Sequence, residues 1–439
     1  MTRLWSQPDW LNRRLAICLV TGFTSGLPLF ILISLLTAWL RDQGVDLKAI
    51  GLLALVQLPY VWKFLWAPIC DRFDLGLGRR RSWMLATQIA LLLTIPCFGA
   101  LDPRTDLAVI SGLAVLLAFL SATQDIAVDA YRRELLRPLE MGLGHVIHVN
   151  AYKVAGLIPG AVSLILADHL PWSWVFVLTA GFMLPGLLLS LFAKEPQQTE
   201  SRPQSLRDAV IDPFQEFIGR KGLKGTLAIL AFIVLYKLGD SLATALATPF
   251  YLDLGYSKTQ IGLVAKNAGL WGSVAGGLLG GLWMLRLGQN RALWLFGLAQ
   301  SAVITGFIWL AQQSPDPWSL GLVIGAEAFG VGLGTAAFVA FVANTTHPAF
   351  AATQFALFTS LAATPRTLAN ALTGFLVEGG DIEWAGVSLH LEGLGWSSFF
   401  VLCLVACVPG LALLPWVAPW REAAAAPTTA TSPNEPSAS

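Results

Sequence analysis

Nine ionisable side chains interrupt long apolar stretches of this chain: Lys63, Asp125, Asp129, Lys153, Lys237, Asp240, Lys266, Glu327 and Arg366. Charge held in apolar surroundings is costly, so each is a candidate for a functional role. Asp125 and Asp129 stand four apart, which on a helix puts both on one face with β-carbons about 6 Å apart. Two carboxylates that close repel unless a proton joins them, and such a pair titrates as a unit. The chemistry this suits is proton uptake and release. Counted at about 1.5 Å per residue, Lys153 of the next segment falls near the depth of the pair. An acidic pair with one lysine can alternate between an ion pair and a protonated form, or it can simply hold two helices together. Lys237 and Asp240, three apart, form an intrahelical pair; Glu327 and Arg366 both reach mid-depth and could bridge. Tyr131 and Arg132 mark an interface with water instead.

The elements that must position these groups follow from composition. Hydrophobic residues make up 55% of the 439 and charged residues 13%, where a soluble domain has about a quarter. Too little polar surface remains to coat a globule, so lipid must face much of the chain. At roughly 20 apolar residues per span, twelve helices are expected near 15–40, 49–70, 83–101, 107–131, 146–168, 173–193, 226–252, 260–286, 292–312, 318–343, 351–377 and 395–416.

Orientation follows from Lys and Arg in the connecting segments. One side carries Arg3, Arg13, Arg14, Arg72, Arg79, Arg80, Arg81, Arg132, Arg133, Arg137, the six from Lys194 to Lys224, Arg286, Arg291 and Arg421. The other side has only Arg41, Lys48, Arg104 and Lys258, and its segment 378–394 has four acids and no base. Both termini are therefore expected in the cytoplasm of a multi-pass membrane protein. The stretch 194–225 opens with a polar run and continues with Leu206, Val210, Ile211, Phe214, Phe217 and Ile218 at helical spacing, which predicts an amphipathic helix on the inner face. It divides an N-terminal six-helix bundle (1–193) from a C-terminal one (226–416), and 417–439 reads as a disordered cytoplasmic tail.

Several other functions are disfavoured. The net charge of +1, with bases confined to short segments, gives no nucleic-acid surface. His145, His148, His169, His347 and His390 are scattered near span ends, without the partners an acyltransferase or hydrolase would need. The five cysteines fall in apolar segments and read as packing residues, so no metal or cofactor is expected. Gly330, Gly332 and Gly334 mimic a nucleotide loop inside a span, and close helix packing explains them better. The same holds for Gly272, Gly276 and Gly280, and for Gly22 and Gly26 with Pro28.

The halves repeat. Asp42, Gly44, Ile50, Gly51 and Leu52 match Asp253, Gly255, Ile261, Gly262 and Leu263 at a constant offset of 211, implying two parallel repeats about a central cavity. Asp71-Arg72-Phe73 followed by Gly78-Arg79-Arg80-Arg81 resembles the signature G-x-x-x-D-R-x-G-R-R of the major facilitator superfamily, with Ala67 for the first Gly and four extra residues before Gly78. That resemblance implies an all-α major facilitator fold in which Asp71, Arg72, Arg79 and Arg80 latch helix ends.

Longer runs go further: GFTSGLPL (Gly22 to Leu29), YVWKFLWAPICDR (Tyr60 to Arg72), SATQDIAVDAYRRELL (Ser121 to Leu136) and VLYKLGDSLA (Val234 to Ala243). In series they resemble the AmpG-type muropeptide permeases. QDIAVDA is also similar to the acetyl-CoA transporters, so an acyl-CoA or other organic-anion carrier is the alternative. The first resemblance implies a transporter rather than an enzyme, importing anhydro-muropeptides with protons across the bacterial inner membrane for cell-wall recycling, and so influencing β-lactamase induction. Such substrates carry carboxylates and sugars. Arg366, Lys237 and Lys266 could hold the carboxylates. Tyr60, Trp62, Tyr152, Tyr236 and Trp271 could stack on sugar rings, with Lys63, Gln124, Asp240, Asn267 and Glu327 completing the expected binding set.

Overall fold

The computed structural model describes residues 12–74, 76–137, 140–195, 212–346, 351–384 and 387–420. In chain order its apolar helices are α1 (Arg13–Asp42), α2 (Leu47–Trp62), α3 (Arg79–Phe98), α4 (Leu107–Leu135), α5 (Gly144–Ala167), α6 (Trp172–Phe192), α7 (Gly222–Asp253), α8 (Lys258–Leu287), α9 (Gln289–Leu310), α10 (Pro317–Thr345), α11 (Ala351–Ala371) and α12 (Gly395–Val417). Ten of these, all but α2 and α11, are long and apolar enough to cross a membrane. Helices thus stand at every expected position, and both termini of the described chain lie at one end of the molecule, here the terminal end.

The second segment departs from the uninterrupted helix expected over 49–70. It breaks into Leu47–Leu52, a 3-10 turn Leu53–Gln57, Leu58–Trp62, a second 3-10 turn Lys63–Leu65, and Ala67–Arg72. Pro59 and Pro68 fit the breaks: a proline cannot donate to the preceding turn and is best accommodated in the first turn of a helix, which is where both stand. The break puts Lys63 in a 3-10 turn.

Three further irregular turns lie deep in the fold. α1, α5 and α8 each contain one π-helical turn, at Ile31–Leu35, Ile158–Val162 and Ile261–Ala265, and these pack together. Such turns cluster at functional sites because they re-aim the side chains beside them.

The segment 378–394, read as a loop, folds as an antiparallel hairpin of β1 (Gly379–Trp384) and β2 (Val387–Glu392), with Asp381 opposite His390. Alternation in Val387-Ser-Leu389-His-Leu391 suits a strand. The linker is described from Asp212, in a helix that turns at Gly222 (φ 69°) into α7. Phe217 is buried there, 4.6 Å from Phe358 ring to ring. Leu206, Val210, Ile211, residues 1–11 and most of the expected tail (421–439) lie outside the described residues.

Close packing is what the glycine stripes provide. A β-carbon at Gly22 or Gly26 would overlap the backbone carbonyl oxygens of His148 or Tyr152 on α5. One at Gly272 or Gly276 would meet Gly325 or Phe329 carbonyls on α10. The apolar core also shows how the halves relate. One continuous cluster joins them at the end away from the termini, with Trp39, Phe98 and Phe176 from the first half and Phe250, Phe307 and Phe400 from the second. At the terminal end the core divides into separate clusters: Met84 with Tyr131, and Cys18 with Leu136, in one half, and Phe232, Phe338 and Phe341 in the other. Among the described residues the buried apolar core is thus shared by the halves at one end and divided between them at the other.

Candidate functional site

In the first half the site is built on α4. Asp125 is 8% exposed and accepts a hydrogen bond from the Ser25 hydroxyl of α1. Lys63 Nζ stands 3.7 Å from Asp125 Oδ2 and 4.0 Å from Asp129 Oδ2. Arg132 holds Asp129 Oδ1 at 3.0 Å. The cation shared by the pair is therefore Lys63, where depth counting pointed to Lys153. No ion pair joins Lys153 to either acid among the described residues. The reason is packing: α5 lies mainly along α1, whereas α2 runs beside α4 and its break delivers Lys63. Arg132 likewise reaches the pair instead of only marking an interface.

Beside this group both amide atoms of Gln124, which is wholly buried, lack a hydrogen-bond partner among the described residues, while the Tyr60 and Ser121 hydroxyls lie near each other. Unpartnered polar atoms are costly in a low-dielectric interior, so this region is not arranged for stability alone. Tyr152 packs edge-on to Phe30 at 5.9 Å, and Trp66 Nε1 donates to Thr123 at 3.1 Å. Trp62 Nε1 reaches across to Thr364 of the second half at 3.4 Å.

In the second half Lys237 Nζ is 3.2 Å from Asp240 Oδ2, the intrahelical pair the spacing implied. It also donates to Gln300 Oε1 at 3.1 Å, and Gln300 Nε2 donates to the Tyr236 carbonyl at 3.1 Å. Gly334 leaves room for this amide, which a β-carbon there would overlap. Asp240 is the carboxylate common to Lys237, buried Glu327 and Arg366, all within electrostatic reach of it. Tyr236 is core: its hydroxyl donates to the Leu293 carbonyl at 2.9 Å and its ring stacks on Phe338. Trp271 is exposed.

Between the halves lies Lys266. Its Nζ donates to Ser34 of α1 at 3.0 Å and Thr248 of α7 at 3.2 Å, while its stem passes over Gly160 of α5. The three π-helical turns converge here, and among the described residues no carboxylate pairs with it. Asn267 turns back to the Gly262 and Leu263 carbonyls.

At the terminal end the signature arginines find partners the sequence did not suggest. Arg79 and Arg80 both hold Glu134 Oε1 at the end of α4, at 3.2 and 2.9 Å. The backbone N–H groups of Arg80 and Arg81 donate to Glu195 beyond α6, so a carboxylate caps α3. Arg81 donates to the Ser190 and Leu191 carbonyls. The side chains of Asp71 and Arg72 lie outside the described residues. Glu134→Ala should remove the charge both guanidiniums share, at a cost of about 2 kcal/mol. A lower melting temperature in detergent checks this, and an unchanged one would contradict it.

A family model, described as Major Facilitator Superfamily, matches residues 18–370. The chain belongs to the Major Facilitator Superfamily. A protein of Haemophilus influenzae named only as uncharacterized is 49% identical over 421 residues, covering 94% of this chain and 96% of its own. The anhydromuropeptide permease of Escherichia coli (strain K12) is 40% identical over 415 residues, covering 94% of this chain and 80% of its own. These relatives place this facilitator in the AmpG-type permease family to which its motifs point. Among solved structures, a nucleoside transporter aligns with TM-score 0.67 at 12% identity, over 93% of this chain and 100% of its own. A D-xylose–proton symporter aligns with TM-score 0.65 at 12% identity, over 92% and 98%. At such identities only the fold is shared. The protein is a multi-pass membrane transporter of small molecules, not an enzyme.

Proposed function

We propose that this facilitator imports anhydro-muropeptides, N-acetylglucosaminyl-anhydro-N-acetylmuramic acid and its peptides, from periplasm to cytoplasm in symport with protons. The observation that carries the substrate is the 40% identity to the anhydromuropeptide permease over nearly the whole chain. Coupling is supported by Asp125 and Asp129, two carboxylates sharing Lys63. A proton taken up by the pair weakens its hold on Lys63 and frees that cation to move. Lys266, Arg366 and Lys237 are the bases offered to substrate carboxylates, with Tyr60, Tyr152, Gln124 and Asn267 toward the sugars, and Asp240 and Glu327 as the counter-charges.

The cation bias of the connecting segments supports a cytoplasmic position for the terminal end, with both termini, in a bacterial inner-membrane protein. On that orientation the shared core lies toward the periplasm and the divided core toward the cytoplasm, which supports a form closed on the periplasmic side.

The test is accumulation of labelled anhydro-disaccharide in proteoliposomes carrying an imposed proton gradient. Accumulation is expected, and an uncoupler should return it to the level of empty liposomes. Accumulation that ignores the uncoupler overturns the coupling; carriage of acetyl-CoA with no disaccharide flux overturns the substrate.

A further inference from the structure

At the end where the core is continuous, the halves are tied by two copies of one arrangement. α1 ends on Asp42 and α7 ends on Asp253, the positions matched at offset 211. Each carboxylate accepts from an indole of its own half: Asp42 from Trp172 Nε1 at 2.8 Å, Asp253 from Trp396 Nε1 at 3.1 Å. Each also takes a cation from the opposite half. Lys258 Nζ is 2.9 Å from Asp42, and Arg41 grips Asp253 by two nitrogens at 2.6 and 2.9 Å.

Each cation then reaches a second carboxylate: Lys258 reaches Asp168 at 3.7 Å, and Arg41 reaches Glu378 at 3.2 Å. Those two acids follow α5 and α11 and cap the second helix of the opposite half. Asp168 accepts from the Thr259 N–H at 2.7 Å, and Glu378 accepts from the Leu47 N–H at 2.9 Å. Arg41 of one half thus holds two acids of the other, and Lys258 returns the same grip.

We propose that Arg41, Asp42, Asp168, Lys258, Asp253 and Glu378 form a double clasp that closes this end of the transport path and must open in each cycle. Three features favour a working closure over a static tie. All six side chains keep between 15% and 26% of their surface exposed, so water can replace each partner as the pair parts. Exposed ion pairs are individually weak, which suits reversible contacts. The same tie is made twice about the repeat axis, as a symmetric rocking motion requires. The inference rests on membership of the transporter family and not on the muropeptide reading, because its decisive readouts need no particular substrate.

The experiment uses the full chain in proteoliposomes, with Cys97 replaced by alanine. In an Asp42→Cys/Lys258→Cys double variant, bridging the two thiols with a short, reducible bifunctional reagent should stop transport. Reductant should restore it to the unbridged rate. Transport that continues at full rate while bridged overturns the proposal. Should the double variant prove inactive before bridging, the second measurement decides. With Ser34→Cys as reporter on α1, an impermeant maleimide is added from the clasp side. Arg41→Gln and Lys258→Gln should each raise labelling by up to about fivefold, with labelling from the terminal side reduced. Labelling unchanged from both sides overturns it.

Discussion

Asp125→Asn is expected to lower proton-driven uptake by about 10- to 100-fold while leaving yield and melting temperature close to those of the parent. Asparagine keeps the shape and can still accept from Ser25, so the α1–α4 contact survives. What it loses is the charge facing Lys63 and the capacity to take a proton. A hydrogen bond to a charged group contributes about 1.5–3 kcal/mol, which as a barrier corresponds to about 10- to 100-fold in rate. Substrate exchange without a gradient should suffer less than accumulation, because exchange does not need the proton to leave. Accumulation and exchange falling together, with the melting temperature, would point to a structural role; unchanged accumulation would remove Asp125 from the mechanism.

The second large effect concerns the fold. Gly276→Leu should sharply reduce the folded fraction, because a side chain there meets the Phe329 carbonyl of α10, a neighbour that cannot move without displacing the helix. Overpacking typically costs about 1–3 kcal/mol, more where backbone must shift. The neighbouring position supplies the control: nothing lies within 4 Å of a β-carbon at Gly277. Gly277→Leu should therefore elute and melt like the parent in detergent, while Gly276→Leu aggregates or melts markedly lower. Equal behaviour of the two would refute the packing account.

Much of this was legible in the residues. Span positions came from apolar run length, and the glycine stripes at spacing four marked faces of close packing, although not the α10 and α5 neighbours that fill them. The Lys237–Asp240 pair is local and could be read directly. The breaks in α2 had a signal in Pro59 and Pro68, although the run 49–70 reads as one helix by its apolar length. What depends on which helix lies beside which was not legible. Lys63 and Lys153 lie at similar depth, and only the packing of α2 beside α4 selects the former. Ser25 and Gln300 are lone polar residues in apolar runs, a signal present but not specific. Glu134 and Glu195 become partners of the arginine cluster only once three helix ends converge. Asp42 and Asp253 announced the duplication, yet nothing in their spacing says that each is held by a cation from the other half.

The π-helical turn at Ile31–Leu35 holds one residue more than an α-helical path would need. Removing a single residue there would turn it into an ordinary α-helical turn, with the tip of the helix keeping nearly the same facing. A residue removed from the regular part of α1 has no such slack and would swing everything beyond it by about 100° around the helix axis, carrying Arg41 and Asp42 off their partners. The turn therefore takes up surplus length locally, so a change of one residue is better tolerated in this short stretch than elsewhere along α1.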